Sequence, residues 1–224
     1  MKLQIKICGI TSEAEAIAVA GLGATHLGLN FYPPSPRYLT RHAARAICAA
    51  VHRLPERPLL VGVFVNASPH DVLAELEACG LDLAQLSGDE PPEMLRILGA
   101  RAFKAVRLAG QQSLSTDRYL NQTPKDNLHV PELLLDAQVR GMYGGTGQTG
   151  DWTLAATVAQ KCRVMLAGGL TPDNVAAAVR AARPWGVDVA SGVESAPGVK
   201  DVDKVAAFIA NARAVSTPEP TARR

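Results

Sequence analysis

Short β-branched or leucine-rich runs alternate with alanine-rich stretches along almost the whole chain, and this alternation restricts the fold more than any other feature. Candidate strands are Leu3–Cys8, His26–Phe31, Leu59–Val65, Leu83–Leu86, Ala102–Arg107, Leu133–Asp136, Arg163–Leu166 and Val187–Ala190. Between them the spacing predicts helices over Ser12–Ala20, Thr40–Leu54, Ser68–Ala78, Pro91–Leu98, Asp151–Gln160, Pro172–Ala181 and Val202–Ala212, with a weaker window over Leu114–Leu120. Strands buried on both faces read as continuous apolar runs, as Leu60-Val61-Gly62-Val63-Phe64-Val65 does. Helix starts are marked by Thr11-Ser12 and by Ser68-Pro69, a cap followed by proline at the first helical position, and Thr171-Pro172 repeats that device.

About eight such units in 224 residues leave each close to the minimum for a βαβ repeat. Alternating β and α without an internal linker implies a parallel sheet, either closed into a (β/α)8 TIM barrel or left open as a doubly wound sheet. No GxGxxG follows the first strand, which favours the barrel. One domain over residues 1–215 is therefore expected. The segment 216–224, with two prolines and no apolar pattern, reads as a disordered tail.

Composition excludes several functions. The charge of +2 and 4% aromatic content give no basic stripe or stacking platform for nucleic acid. No apolar run approaches the ~20 residues of a membrane span, and the N-terminus lacks a signal-peptide pattern. Cys8, Cys48, Cys79 and Cys162 form no CxxC pair, and the histidines cluster with none of them, so neither a zinc site nor any other metal is expected. Reduced thiols in the cytoplasm are the simplest reading.

In a barrel, chemistry sits at the C-terminal ends of the strands. Those positions hold Cys8, Asn30 and Arg37, Asn66, Gln85 and Ser87, Arg107, Asp136, Gly168-Gly169, and Ser191-Gly192. Glycines there let backbone N–H groups approach an anion, and the loops after strands seven and eight are the usual barrel phosphate site. Gly144-Gly145-Thr146-Gly147 follows strand six and can line the same pocket, so a phosphorylated small molecule is the expected substrate. A free cysteine is more often a buried small hydrophobe than a base, yet Cys8 stands at the strand end before Gly9. Asp136 caps an apolar run that favours its protonated form, suiting a general acid; a helix cap or an ion pair with Arg140 is the alternative. Arg37, in a proline-rich loop, can clamp a carboxylate bidentately or stand solvated.

Together these segments resemble the phosphoribosylanthranilate isomerases of tryptophan biosynthesis. The resemblance rests on Lys6-Ile7-Cys8-Gly9-Ile10-Thr11, Ser35-Pro36-Arg37-Tyr38, Val61-Gly62-Val63-Phe64-Val65-Asn66, Leu134-Leu135-Asp136 and Gly144-Gly145-Thr146-Gly147 with Asp151-Trp152. It continues through Leu166-Ala167-Gly168-Gly169-Leu170, Val187-Asp188-Val189, Ser191-Gly192-Val193-Glu194 and Pro197-Gly198. It implies a barrel of the ribulose-phosphate-binding type and a cofactor-free Amadori rearrangement. Cys8 is then the general base and Asp136 the general acid, with Arg37, Gly145, Gly168, Gly169, Asp188, Ser191 and Gly192 binding substrate in a monomer or homodimer. Two positions depart from the family pattern. Ser87 stands where Gln-Leu-His-Gly has histidine, and Gly150 where a bulky residue often precedes Asp-Trp. Ser87 is expected to line the pocket without moving a proton. Rival readings are a pentulose-phosphate epimerase or histidine-pathway isomerase, which use carboxylate pairs or metal-binding histidines where this chain has Cys8, and an inactive phosphate-binding barrel, which a turnover assay separates from an enzyme.

Overall fold

The computed structural model describes residues 2–107, 114–120, 129–136 and 152–215. Eight parallel strands close in sequence order into a barrel: β1 (Gln4–Cys8), β2 (His26–Asn30), β3 (Leu59–Phe64), β4 (Leu83–Leu86), β5 (Ala102–Arg107), β6 (Leu133–Asp136), β7 (Val164–Ala167) and β8 (Gly186–Val189). Closure is made by β1 on β8, with Ile5 opposite Val187 and Lys6 opposite Asp188. The helices are α1 (Glu13–Gly21), α2 (Arg41–His52), α3 (Pro69–Cys79), α4 (Pro92–Leu98), α5 (Leu114–Leu120), α6 (Trp152–Ala159), α7 (Val175–Ala182) and α8 (Val202–Arg213). The barrel read from the alternation is the one formed, with most element ends within a residue or two of the expected positions.

Alternation along each strand makes two separate cores. Ile5, Ile7, Leu27, Leu29, Leu60 and Leu166 face outward and pack with Ile47, Leu76 and Phe208 of the helices. Val61, Leu83, Phe103, Leu134 and Met165 face inward and fill the barrel. Fully burying a Leu, Ile or Phe side chain stabilises the fold by about 1.5–3 kcal/mol.

Capping fixes where helices start, and so the length of the loops that carry the site. Ser12 Oγ accepts from the Glu15 N–H at 3.2 Å, and Ser68 Oγ from the Asp71 N–H at 3.1 Å. Thr171-Pro172 behaves differently from expectation. The Asn174 side chain turns back to accept from the Thr171 N–H at 2.8 Å, a turn forms, and α7 begins only at Val175. A short antiparallel hairpin, β9 (Glu194–Ala196) and β10 (Val199–Lys200), also follows the barrel; its strands are too short and polar to leave a pattern. Residues 137–150, which contain Arg140, Gly145 with its neighbouring glycines and Gly150, lie outside the described residues, as does the segment 216–224.

The loops after β3 and β4 are tied together from below. Lys104, on the outward face of β5, donates to Glu90 Oε2 at 3.0 Å and to the Gly88 carbonyl at 2.7 Å. Glu90 in turn accepts from the backbone N–H groups of Asn66 (2.8 Å) and Gly88 (2.9 Å). Burial draws the Lys104 ammonium below its usual range, with Glu90 opposing that shift. Both side chains are nearly inaccessible, so removing one charge strands the other. Glu90→Gln is expected to cost about 3–5 kcal/mol, read from urea unfolding. A loss under ~1 kcal/mol would show that the backbone N–H groups alone hold the loop.

Candidate active site

A cavity of about 370 Å³ opens at the C-terminal ends of the strands. Its wall brings together Arg37 from the loop after β2, Asp136 from the end of β6, Gly168 and Gly169 after β7, and Asp188, Ser191 and Gly192 at the end of β8. Gln85, Ser87 and Arg107 also line it, as their strand-end positions imply. Arg107 and Asp136 are register partners across β5 and β6. Cys8 is not itself part of the wall. It is 9% exposed, and the Arg37 stem packs against the neighbouring Gly9, whose φ is +79°.

Arg37 is less available than the sequence implies. Its Nε and Nη2 donate to the two carboxylate oxygens of Glu194 at 2.7 and 2.6 Å. The bidentate edge expected to clamp substrate is therefore taken by a protein carboxylate, leaving Nη1 and the second Nη2 N–H. Lys200, its side chain fully buried, completes the group by donating to Glu194 Oε1 at 2.8 Å and to the Ala190 carbonyl at 3.2 Å. Burial works against the charge on Glu194, yet the hydrogen bonds from Arg37 and Lys200 hold its carboxyl down to about 2. Hairpin β9–β10 supplies both Glu194 and Lys200, so this unforeseen element orients Arg37.

Beneath the mouth, Lys6 is fully buried and donates to Asp188 Oδ1 at 2.9 Å. Asp188, expected to bind substrate, thus faces the cavity while also holding a lysine. Across the barrel, Gln85 Nε2 donates to Ser87 Oγ at 3.0 Å, while Gln85 Oε1 is buried with no partner among the described residues. Ser87 is therefore a pocket hydroxyl tied to an amide.

The glycine loops differ in what they require. Gly168 and Gly169 have φ of +97° and +65°, a region that only glycine enters freely. A Cβ at Gly169 would meet no neighbouring atom, whereas one at Gly192 would run into the Leu170 carbonyl. Gly192 is thus needed where the loops after β7 and β8 touch, and Gly169 for its backbone angle. Neither N–H is hydrogen-bonded among the described residues.

Across residues 5–211 the chain matches the family described as N-(5'phosphoribosyl)anthranilate (PRA) isomerase. The chain belongs to that family. It is 46% identical over 217 residues to the N-(5'-phosphoribosyl)anthranilate isomerase of Myxococcus xanthus, covering 96% of this chain and 99% of that one. The phosphoribosyl anthranilate isomerase of Thermotoga maritima superposes with a TM-score of 0.80 at 38% identity, covering 95% of this chain and 100% of that one. A phosphoribosyl anthranilate isomerase in complex with reduced 1-(o-carboxyphenylamino)-1-deoxyribulose 5-phosphate gives 0.79 at 36% identity, with the same coverage. As a family member the chain is an isomerase of tryptophan biosynthesis.

The Glu194 cluster has a pH signature. A carboxyl held at about 2 against an ordinary 4.5 stabilises the fold fully above pH 4.5 and loses that contribution as pH falls through about 2. Glu194→Gln lacks the titrating group. The thermal midpoint of the native chain should exceed that of the variant at neutral pH, with the gap narrowing across this window. A gap that stays constant as pH falls would remove Glu194 from the titration.

Proposed function

We propose that the barrel mouth converts N-(5-phosphoribosyl)anthranilate to 1-(2-carboxyphenylamino)-1-deoxyribulose 5-phosphate by general acid–base catalysis without a cofactor. Asp136 protonates the furanose ring oxygen, the bond from C1 to that oxygen breaks, and the anthranilate nitrogen lone pair forms the C1=N bond of a Schiff base. Cys8, as a thiolate, removes the proton at C2. That electron pair becomes C1=C2 while the C1=N pair returns to nitrogen, and the resulting enolamine tautomerises to the ketone. Arg37 binds the anthranilate carboxylate through the N–H groups that Glu194 leaves. The phosphate lies against the backbone of Gly168, Gly169, Ser191 and Gly192, with Asp188 and Gly145 completing the substrate-binding set.

The observation that carries this reading is the cavity wall, where a carboxyl, a guanidinium and two adjacent glycine loops face one space in a chain of this family. An acid, a carboxylate receptor and an anion receptor are the groups that a phosphorylated sugar bearing an aromatic acid requires. The free cysteines support a reducing, cytoplasmic setting. Burial pushes Cys48 up to about 12 and Cys79 up to about 11, so neither competes with Cys8 as a base.

Decay of the fluorescence of freshly prepared phosphoribosylanthranilate tests the assignment. Cys8→Ala and Asp136→Asn should each lower kcat by about 10²–10⁴-fold with circular dichroism unchanged, and near-native turnover by either variant removes that residue from its role. Inorganic phosphate should compete with substrate. Gly169→Ala, whose Cβ finds open space but which strains the backbone at φ +65° that presents the N–H, should raise KM by roughly ten- to a hundredfold, as one lost hydrogen bond to a charged group implies, with kcat changed less. Non-competitive inhibition by phosphate would place the anion elsewhere.

A further inference from the structure

We propose that Lys6 is a positioning residue for this reaction: its ammonium, anchored by Asp188, is the counter-ion that holds Cys8 as the thiolate base. The inference rests on the reading of Cys8 as the base and adds the group that makes a thiol suitable for that work.

Residues two apart on a strand share a face, so Lys6 and Cys8 both project from β1 into the barrel. Lys6 Nζ is hydrogen-bonded to Asp188, and the Cys8 side chain is a second electrostatic partner of its ammonium. Opposite Cys8 in register stands Gly28, and the missing side chain there is what admits the pair. A Cβ at Gly28 would lie 2.7 Å from Cys8 Sγ and 3.1 Å from Lys6 Nζ. The two groups therefore occupy the space that any other residue at position 28 would fill.

A charge in this place is costly to keep. Val61, Leu83, Phe103, Leu134 and Met165 give the inner core an apolar body, and a Met–Leu pair in place of Lys6 and Asp188 would avoid desolvating two ions. The sign of the charges around the thiol points the same way. Two charged groups act on Cys8, Lys6 from its own strand and Arg37 from the loop after β2; Asp188 of β8 is paired with Lys6, and Glu194 with Arg37 and Lys200, while Glu15 accepts from the Lys200 N–H. His26, beside Lys6 on β2, is pushed down to about 4, chiefly by burial, and so is neutral. Lys6 and Arg37 are thus the cations that act on the thiol, and both favour its ionised form. Burial opposes the charge on Lys6, yet Asp188 and Cys8 together hold its ammonium above the usual range. When the thiolate takes the C2 proton it becomes neutral, and Lys6 stays protonated throughout.

The test compares ionisation of Cys8 with turnover. Thiolate absorbance in the ultraviolet is followed against pH, as a difference from Cys8→Ala, in the native chain and in Lys6→Met. Loss of the ammonium should raise the ionisation midpoint by one pH unit or more, since one unit is a tenfold change in thiolate fraction. The kcat of Lys6→Met at neutral pH should fall at least about tenfold, with KM changed less, and should recover as pH is raised. Recovery at alkaline pH is a response that simple loosening of the barrel does not give. Should Lys6→Met fail to fold, the double variant Lys6→Met/Asp188→Leu removes both ends of the pair and is expected to show an upward midpoint shift of smaller size, because the opposing Asp188 charge leaves with the ammonium. An unmoved midpoint in the folded variant overturns the role of Lys6 and leaves that of Cys8 standing. Near-native turnover by Cys8→Ala instead overturns the base, whatever the midpoint does.

Discussion

The seam between β1 and β8 is the constraint on which the rest of the molecule depends. Until it forms, the parallel sheet has two open edges and no mouth. Its register is fixed by chemistry as well as by shape, because Lys6 meets Asp188 across 182 residues of sequence. A slip of one residue would turn Lys6 out of the barrel and into the layer where Ile5 and Ile7 pack against helices. A cation there would have no carboxylate, so the ion pair selects the register even where it adds little net stability.

Around that seam the polar groups form a linked set. Arg37, Glu194 and Lys200 form one group, and Lys6 with Asp188 a second. Each cation has a carboxylate for a neighbour, and the hairpin after β8 delivers two members of the set to a loop that follows β2. On the opposite side of the mouth, Glu90 and Lys104 do comparable work for backbone alone, fixing Asn66 and Gly88. One half of the rim is thus arranged around side-chain charge, and the other around main-chain hydrogen bonds.

The strands were legible because apolar runs such as Leu60–Val65 have no other good use than a strand buried on both faces. Arg37 and Asp136 were legible because strand ends of a barrel face one mouth. What escaped the sequence shares a single cause: partners separated too widely for any local pattern to connect them. Glu194 stands only as the end of the Ser191-Gly192-Val193-Glu194 segment until Arg37, 157 residues away, is seen on it. Lys6 reads as an ordinary alternating polar residue until β8 closes over it. The helix start after Thr171-Pro172 was misplaced because a proline cap and a proline turn begin alike, and the Asn174 side chain decides between them.

Closure in sequence order also governs how the chain is born. During synthesis β1 emerges first and can pair with β2 early, but its other edge waits for residues of β8, and no intermediate length of chain supplies a substitute. Until then Lys6 remains hydrated at an open edge, and desolvating it before Asp188 arrives would cost several kcal/mol. The oldest strand is therefore the last to be completed. A ribosome-bound chain ending before Gly186 carries seven strands, and its charged first strand resists the premature edge-to-edge pairing that a purely apolar strand would invite.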